Sequence, residues 1–385
     1  MQGKNILHIV TGNIIIQRDS LILSELHSSH TITLLFWGSV ENEKRLRSLG
    51  FRIITFKARN KLIFFLKVFL HILLNHYDVI SFSSFLLSPL VLLATTVKKT
   101  KILYGYHEFP IATATDRFNN LLHGIVNGIA RTLENAFLKT SDGIIVIPLI
   151  DKEIQRVLKY NKNMEVVSNF PSLAVKLRAA GRLKDLKDKR FIIYSGTIAS
   201  YTGLHLYLDV TKRLIASGPY SDVTLVLAGK LSGINEPDLH RVISSMNLEQ
   251  SVVYLGWIPY EELLSVISRA MVGLALFDPN HLKFSYISEG TSRKIYTYMY
   301  CGIPVITNPP LGEFVRHEKC GIVIPYNIEE LYSAVVNLLR DDDLRRNLGQ
   351  NGKNAVLTKY NWERESEKVI KVFENMWSIK QCCRK

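Results

Sequence analysis

Short apolar runs alternate with amphipathic stretches along most of the chain. The first half reads NILHIV, a helix near Ser20 to Leu26, TITLLFW, FRIITF, an apolar helix from Leu62 to Leu74, DVISF, a helix from Leu87 to Val97, and KILYGY. It continues with a long helical stretch ending near Leu138, GIIVI, a helix from Asp151 to Leu158, and EVVSN. Apolar runs of strand length, spaced by helix-length segments, predict parallel strands joined by crossover helices.

From Ser168 to Arg190 the chain turns polar and basic after Asn169-Phe170-Pro171, which reads as a linker. The alternation restarts with FIIYSG, a helix from Leu204, VTLVLAG, a helix near Leu239, VVYLGW, a helix from Tyr260, VGLALF, a helix from Arg293, PVITN and GIVIP. After Glu329 the pattern is wholly helical, and the last helix sets Val369, Val372, Phe373 and Trp377 on one face. The expected architecture is α/β, with two Rossmann-like doubly wound domains facing each other across a cleft. An N-terminal acceptor domain spans 1–168, a linker 169–190 and a C-terminal donor domain 191–360; a helix within 361–385 crosses back to the first domain. Ligands bind at the C-terminal edges of such sheets.

Length agrees, because 385 residues exceed what a single core usually serves. The charge changes the picture more. Lys and Arg outnumber Asp and Glu by 48 to 34, a formal net charge of +14, which favours an anionic partner. No zinc-finger spacing or RNP-type aromatic motif accompanies that charge, so no nucleic acid is expected. The four cysteines, Cys301, Cys320, Cys382 and Cys383, form neither a metal pattern nor a disulfide framework. MQGKNILHIVTGN lacks the features of a signal peptide, so the expected place is the cytoplasm, including the inner face of the cell membrane. Leu62 to Leu74, interrupted by Lys67 and His71, is too short to span a bilayer, and Val79 to Val97 reads as strand, loop and helix.

Candidate chemistry gathers at strand ends. Ser288-Glu289-Gly290-Thr291-Ser292 opens the helix RKIYTYMYCG, whose free N–H groups, with Arg293 and Lys294, suit a phosphate. Glu289 reads either as a helix cap or as an acceptor for sugar hydroxyls. Gly196 and Thr197 follow the first strand of the second domain, and Lys230 ends another; each suits a diphosphate or an ordinary turn. In the first domain Gly12 and Asn13 read as a turn facing the cleft or as an ordinary tight turn, and His107 with Glu108, after KILYGY, as a polar pair toward donor or acceptor or as a loop-anchoring hydrogen bond.

These motifs together make the second half resemble the donor domain of retaining GT-B glycosyltransferases (glycosyl transferases group 1, family 4-like) of bacterial polysaccharide biosynthesis, the capsule and lipopolysaccharide enzymes included. The resemblance rests on Gly196 with Gly203-Leu204, VTLVLAG, VVYLGWIPYEEL, Lys294 to Met299, CGIPVI and Asn361-Trp362. Tyr104-Gly105-Tyr106-His107-Glu108 and Leu133-Glu134 extend it to the first half. It implies that Glu289 contacts the donor sugar. The second Glu of the family's Glu-x7-Glu pattern falls on Thr297, which offers the ribose only a hydroxyl. Two basic residues of the family's first donor loop fall on Ile198 and Thr202, so Lys230, Arg293 or Lys294 would have to substitute.

The resemblance further implies transfer of a sugar from a UDP- or GDP-sugar to a saccharide or lipid-linked acceptor, with retention and with no metal or other cofactor. Glu289 and His107 are its catalytic candidates. Lys57, Arg59, Lys61 and Lys67 around the Leu62 to Leu74 helix suit peripheral contact with anionic membrane, unless that helix is an ordinary buried one. Rival readings are a silent glycosyltransferase-like subunit, a nucleotide-binding regulatory protein and a nucleotide-sugar epimerase.

Overall fold

A computed structural model describes residues 3–10, 17–37, 50–56, 60–106, 120–178, 188–281, 288–309 and 311–378, with Arg47, Gly181 and Leu186 between them. Gly12, Asn13, Lys57, Arg59, His107, Glu108, Cys382 and Cys383 lie outside the described residues. The chain divides into two compact units, one of residues 1–168 and 365–385, the other of 169–364.

In the first unit the strands are β1 (Asn5–Val10), β2 (Thr31–Phe36), β3 (Arg52–Thr55), β4 (Val79–Phe82), β5 (Lys101–Tyr106), β6 (Gly143–Val146) and β7 (Met164–Val166). All pair in parallel in the order β3-β2-β1-β4-β5-β6-β7. The helices are α1 (Gln17–His27), α2 (Lys61–Leu74), α3 (Ser88–Lys98), α4 (Asn120–Thr140) and α5 (Asp151–Tyr160). Near-continuous burial along the strands explains their unbroken apolar runs, as both sheet faces are covered.

His8, in the middle of β1, is a polar exception. Its Nδ1 lies 3.1 Å from Ser81 Oγ on β4, and burial pulls the imidazole from 6.5 down to about 4. The unfolded chain therefore takes up a proton below pH 6.5 that the folded chain refuses until about pH 4. Stability is expected to fall as pH drops through that window, His8 accounting for up to about 3 kcal/mol at its lower end. Urea unfolding should show a shallower pH slope in His8→Gln than in the wild type; equal slopes would contradict this.

The second unit contains β8 (Arg190–Ser195), β9 (Val223–Ala228), β10 (Val252–Gly256), β11 (Val272–Ala275), β12 (Val305–Thr307) and β13 (Gly321–Val323). They too are parallel, in the order β10-β9-β8-β11-β12-β13. Its helices are α6 (Leu204–Ala216), α7 (Glu236–Ser245), α8 (Tyr260–Ile267), α9 (Arg293–Tyr300), α10 (Phe314–His317), α11 (Ile328–Arg340) and α12 (Asp342–Thr358). The segment 169–190, read as a linker, is counted with this unit, since Phe170 and Leu186 join its hydrophobic core. Both are apolar anchors in a stretch rich in Lys and Arg.

The last helix, α13 (Trp362–Ser378), contributes from Glu365 onward to the first unit. Val369, Val372, Phe373 and Met376 are buried there, and the Val372 carbonyl accepts a bond from Asn163 Nδ2 at 3.0 Å. Gly143 makes room, because a Cβ in its place would sit 2.8 Å from Val372 Cγ1. No helix among the described residues is long and apolar enough to cross a membrane.

Candidate functional site

The second sheet reverses its strand order between β8 and β11, which is where open parallel sheets hold ligands. Two glycines shape the loops there. Gly229, at φ +149°, brings its backbone so close to the next loop that a Cβ would lie 1.7 Å from the Gly196 carbonyl oxygen. Gly196, at φ +127°, leaves space that a Cβ would fill 3.0 Å from Lys294 Cε. The structure thus brings the Gly196 turn and the start of α9 together, though 98 residues separate Gly196 from Lys294.

Tyr298 fixes this junction from below. Its hydroxyl accepts the Ser195 N–H at 2.8 Å and donates to the Leu274 carbonyl at 3.1 Å, tying β8 to β11. Burial pushes the Tyr298 phenol up, which keeps it a neutral donor. Gly273 provides the room, since a Cβ there would meet the Tyr298 ring at 2.4 Å.

Lys294 Nζ donates to Tyr194 Oη at 2.9 Å and lies 4.6 Å and 5.0 Å from the centres of the Tyr194 and Phe277 rings. Tyr194 Oη in turn donates to the Thr197 carbonyl at 2.5 Å. Arg293 sits over Tyr260, 5.3 Å from its centre, and burial lowers its pKa. Neither cation is paired with a carboxylate among the described residues. Ser292 begins α9 without a side-chain cap, so N–H groups of the first turn add to the positive field. An anion is the ligand this arrangement suits.

The preceding residues are held by their backbone. Gly290, at φ +91°, accepts the Asn169 N–H at 2.8 Å, and the Thr291 carbonyl accepts from Asn169 Nδ2 at 2.9 Å. Glu289 Oε1 accepts the Phe314 N–H at 2.7 Å, so it caps α10 rather than α9. Glu289 Oε2 has no hydrogen bond among the described residues.

Thr297 is 2% exposed; its hydroxyl donates to the Arg293 carbonyl at 3.0 Å and lies 3.3 Å from Tyr260 Oη, so it faces the interior. Lys230 is exposed, with its ammonium 5.9 Å from the Trp257 ring centre, and its carbonyl accepts the Ile198 N–H at 2.9 Å. Ile198 and Thr202, where the family's basic residues fall, are both buried, and Thr202 Oγ1 accepts the Ala199 N–H at 3.1 Å. Tyr194, Tyr298 and Trp257 were missed as site residues. A depression of about 480 Å³ lined by Ile322, Tyr332 and Arg340 lies at β13, two strands from the reversal.

The end of β5 in the first unit carries a buried charge network. Arg156 pairs with Glu134 and Glu153, each at 2.9 Å; Arg131 pairs with Glu153 at 2.9 Å; and Tyr106 Oη donates to Glu134 at 3.1 Å. Burial opposes ionisation of Glu153, but Arg156 and Arg131 outweigh it and hold this carboxyl below its usual range. Tyr106 immediately precedes His107 and Glu108 in the sequence. Among the described residues, no three His, Cys, Asp or Glu are grouped to hold a metal ion.

Two parallel-sheet Rossmann-like units of this kind define the GT-B class of fold. The fold is similar to that of Anabaena HepE, solved in complex with UDP and glucose, with a TM-score of 0.74 at 14% identity, over 96% of this chain and 99% of that one. Residues 179–355, most of the second unit, match the family model of glycosyl transferases group 1. An uncharacterized glycosyltransferase of Methanocaldococcus jannaschii is 22% identical over 72% of this chain and 69% of its own length. The alpha-D-kanosaminyltransferase of Streptomyces kanamyceticus is 24% identical over 50% of this chain, which spans about half of that relative, 47%. The second unit is thus similar in sequence to glycosyltransferases, and the two units are similar to theirs in fold.

Proposed function

We propose that the chain moves a sugar from a UDP- or GDP-sugar to an acceptor hydroxyl on a saccharide or lipid-linked carrier, with retention of configuration, as in surface polysaccharide biosynthesis. The observation that carries this reading is the pair of cations at the first turn of α9, Arg293 and Lys294, beside Gly196 and without carboxylate partners among the described residues. As the bond between sugar and diphosphate breaks, negative charge grows on the leaving phosphate. A fixed ammonium and free helix N–H groups stabilise that charge without reorganising. Lys294 stands in for the basic residues absent at positions 198 and 202, and the open oxygen of Glu289 accepts from the sugar hydroxyls. HepE, which binds UDP and glucose, supports trying UDP-sugars first.

Thermal unfolding with a panel of UDP-, GDP- and ADP-sugars, beside their free nucleotides, tests the reading. One nucleotide sugar is expected to raise Tm more than its own nucleotide does, and Glu289→Ala is expected to remove that difference. A folded protein that responds to none of them would sink the proposal in favour of a silent subunit.

A further inference from the structure

The outward face of α2 is apolar where a surface helix is normally polar. Phe64, Val68 and Ile72 face the core, yet Leu62, Leu66, Leu70 and Leu74, one row at i, i+4 spacing, are 75%, 57%, 47% and 81% exposed. Burial of the whole helix is thereby ruled out. The row continues sideways: α3 packs against α2 and exposes Leu93 at 57% and Val97 at 69%, while α4 packs against α3 and exposes Ile129 and Leu133. Right-handed crossovers between β3, β4, β5 and β6 place these three helices in one layer, so the patch is continuous. Monomeric proteins rarely expose a patch of this kind without a partner.

Charge indicates which partner. Between residues 57 and 101 the chain has seven Lys or Arg and a single acid, Asp78, whose carboxylate accepts the Asn5 N–H at 2.8 Å. Lys67 on α2, Lys98 in the last turn of α3 and Lys99 after it border the leucines. A second copy docking by the same face would bring like charges together. We infer that the α2–α4 face is a docking surface for an anionic lipid bilayer, its leucines entering the interface while the lysines meet the headgroups.

This inference does not depend on the donor site, and vesicle binding requires no nucleotide sugar. The full chain would be sedimented with phosphatidylcholine vesicles, with and without about 30% phosphatidylglycerol, in about 0.1 M salt, where exposed charges still act over about 10 Å. The wild type should pellet with the anionic vesicles. Leu66→Gln/Leu70→Gln should weaken binding about tenfold or more, and Lys98→Glu/Lys99→Glu several-fold, with both variants melting as the wild type does. No binding by the folded wild type, or binding that the leucine variant leaves unchanged, would overturn the inference. So would a dimer that the leucine variant converts to a monomer while vesicles bind neither form; that result would assign the face to a second copy.

Discussion

Lys294→Met is expected to lower kcat/KM for the nucleotide-sugar donor by about 10² to 10³-fold, the usual cost of losing one preorganised electrostatic contact to a transition state. The ammonium is held by Tyr194 Oη and two aromatic faces, so its charge is aimed rather than mobile. It is only partly buried and is not among the core residues, so its removal leaves the core intact. Most of the loss is expected in kcat, since charge on the leaving phosphate is greatest in the transition state. Lys294→Arg, which keeps the charge, should recover much of the rate. Steady-state kinetics with Tm controls checks both, and a Lys294→Met enzyme with normal kcat/KM would remove Lys294 from the site.

A comparable effect on stability is expected in the first unit. Arg156→Met should destabilise the protein by about 3–5 kcal/mol, because Glu134 is fully buried and would keep, besides its bond from Tyr106 Oη, only the longer charged contact, 3.3 Å, with Arg131. Glu153 would retain Arg131 and lose Arg156. The double variant Arg156→Met/Glu134→Leu should recover part of the loss, as the penalty comes from an uncompensated carboxylate rather than from missing attraction. Urea unfolding at neutral pH measures both. Because Glu153 titrates below its usual value, its contribution is present above about pH 4.5 and fades as pH falls through its folded pKa. A single variant as stable as the wild type would show that the network is dispensable.

Both sheets were legible in the chain because parallel strands buried on two faces must be apolar throughout, and runs such as VTLVLA admit little else. The Leu62 to Leu74 helix was legible as a helix but not in its orientation, since a segment apolar on every side gives no sign of which row meets the core. The inward turn of Thr297 was hidden for a related reason. Motif spacing put it in line with a ligand-binding position, while packing against Tyr260 turned it inward. The nearness of Lys294 to Gly196 is made by tertiary folding, and no local pattern encodes it. Glu134 entered only as part of a Leu-Glu motif; its buried partners Arg156 and Tyr106 lie 22 and 28 residues away.

The most direct measurement is a crystal structure with the nucleotide sugar that raises Tm most. The account predicts its diphosphate within hydrogen-bonding distance of Lys294 Nζ and the first-turn N–H groups of α9, beside Gly196, with the sugar reaching Glu289. A diphosphate bound elsewhere, with Lys294 still resting on Tyr194 and no phosphate contact, would contradict it.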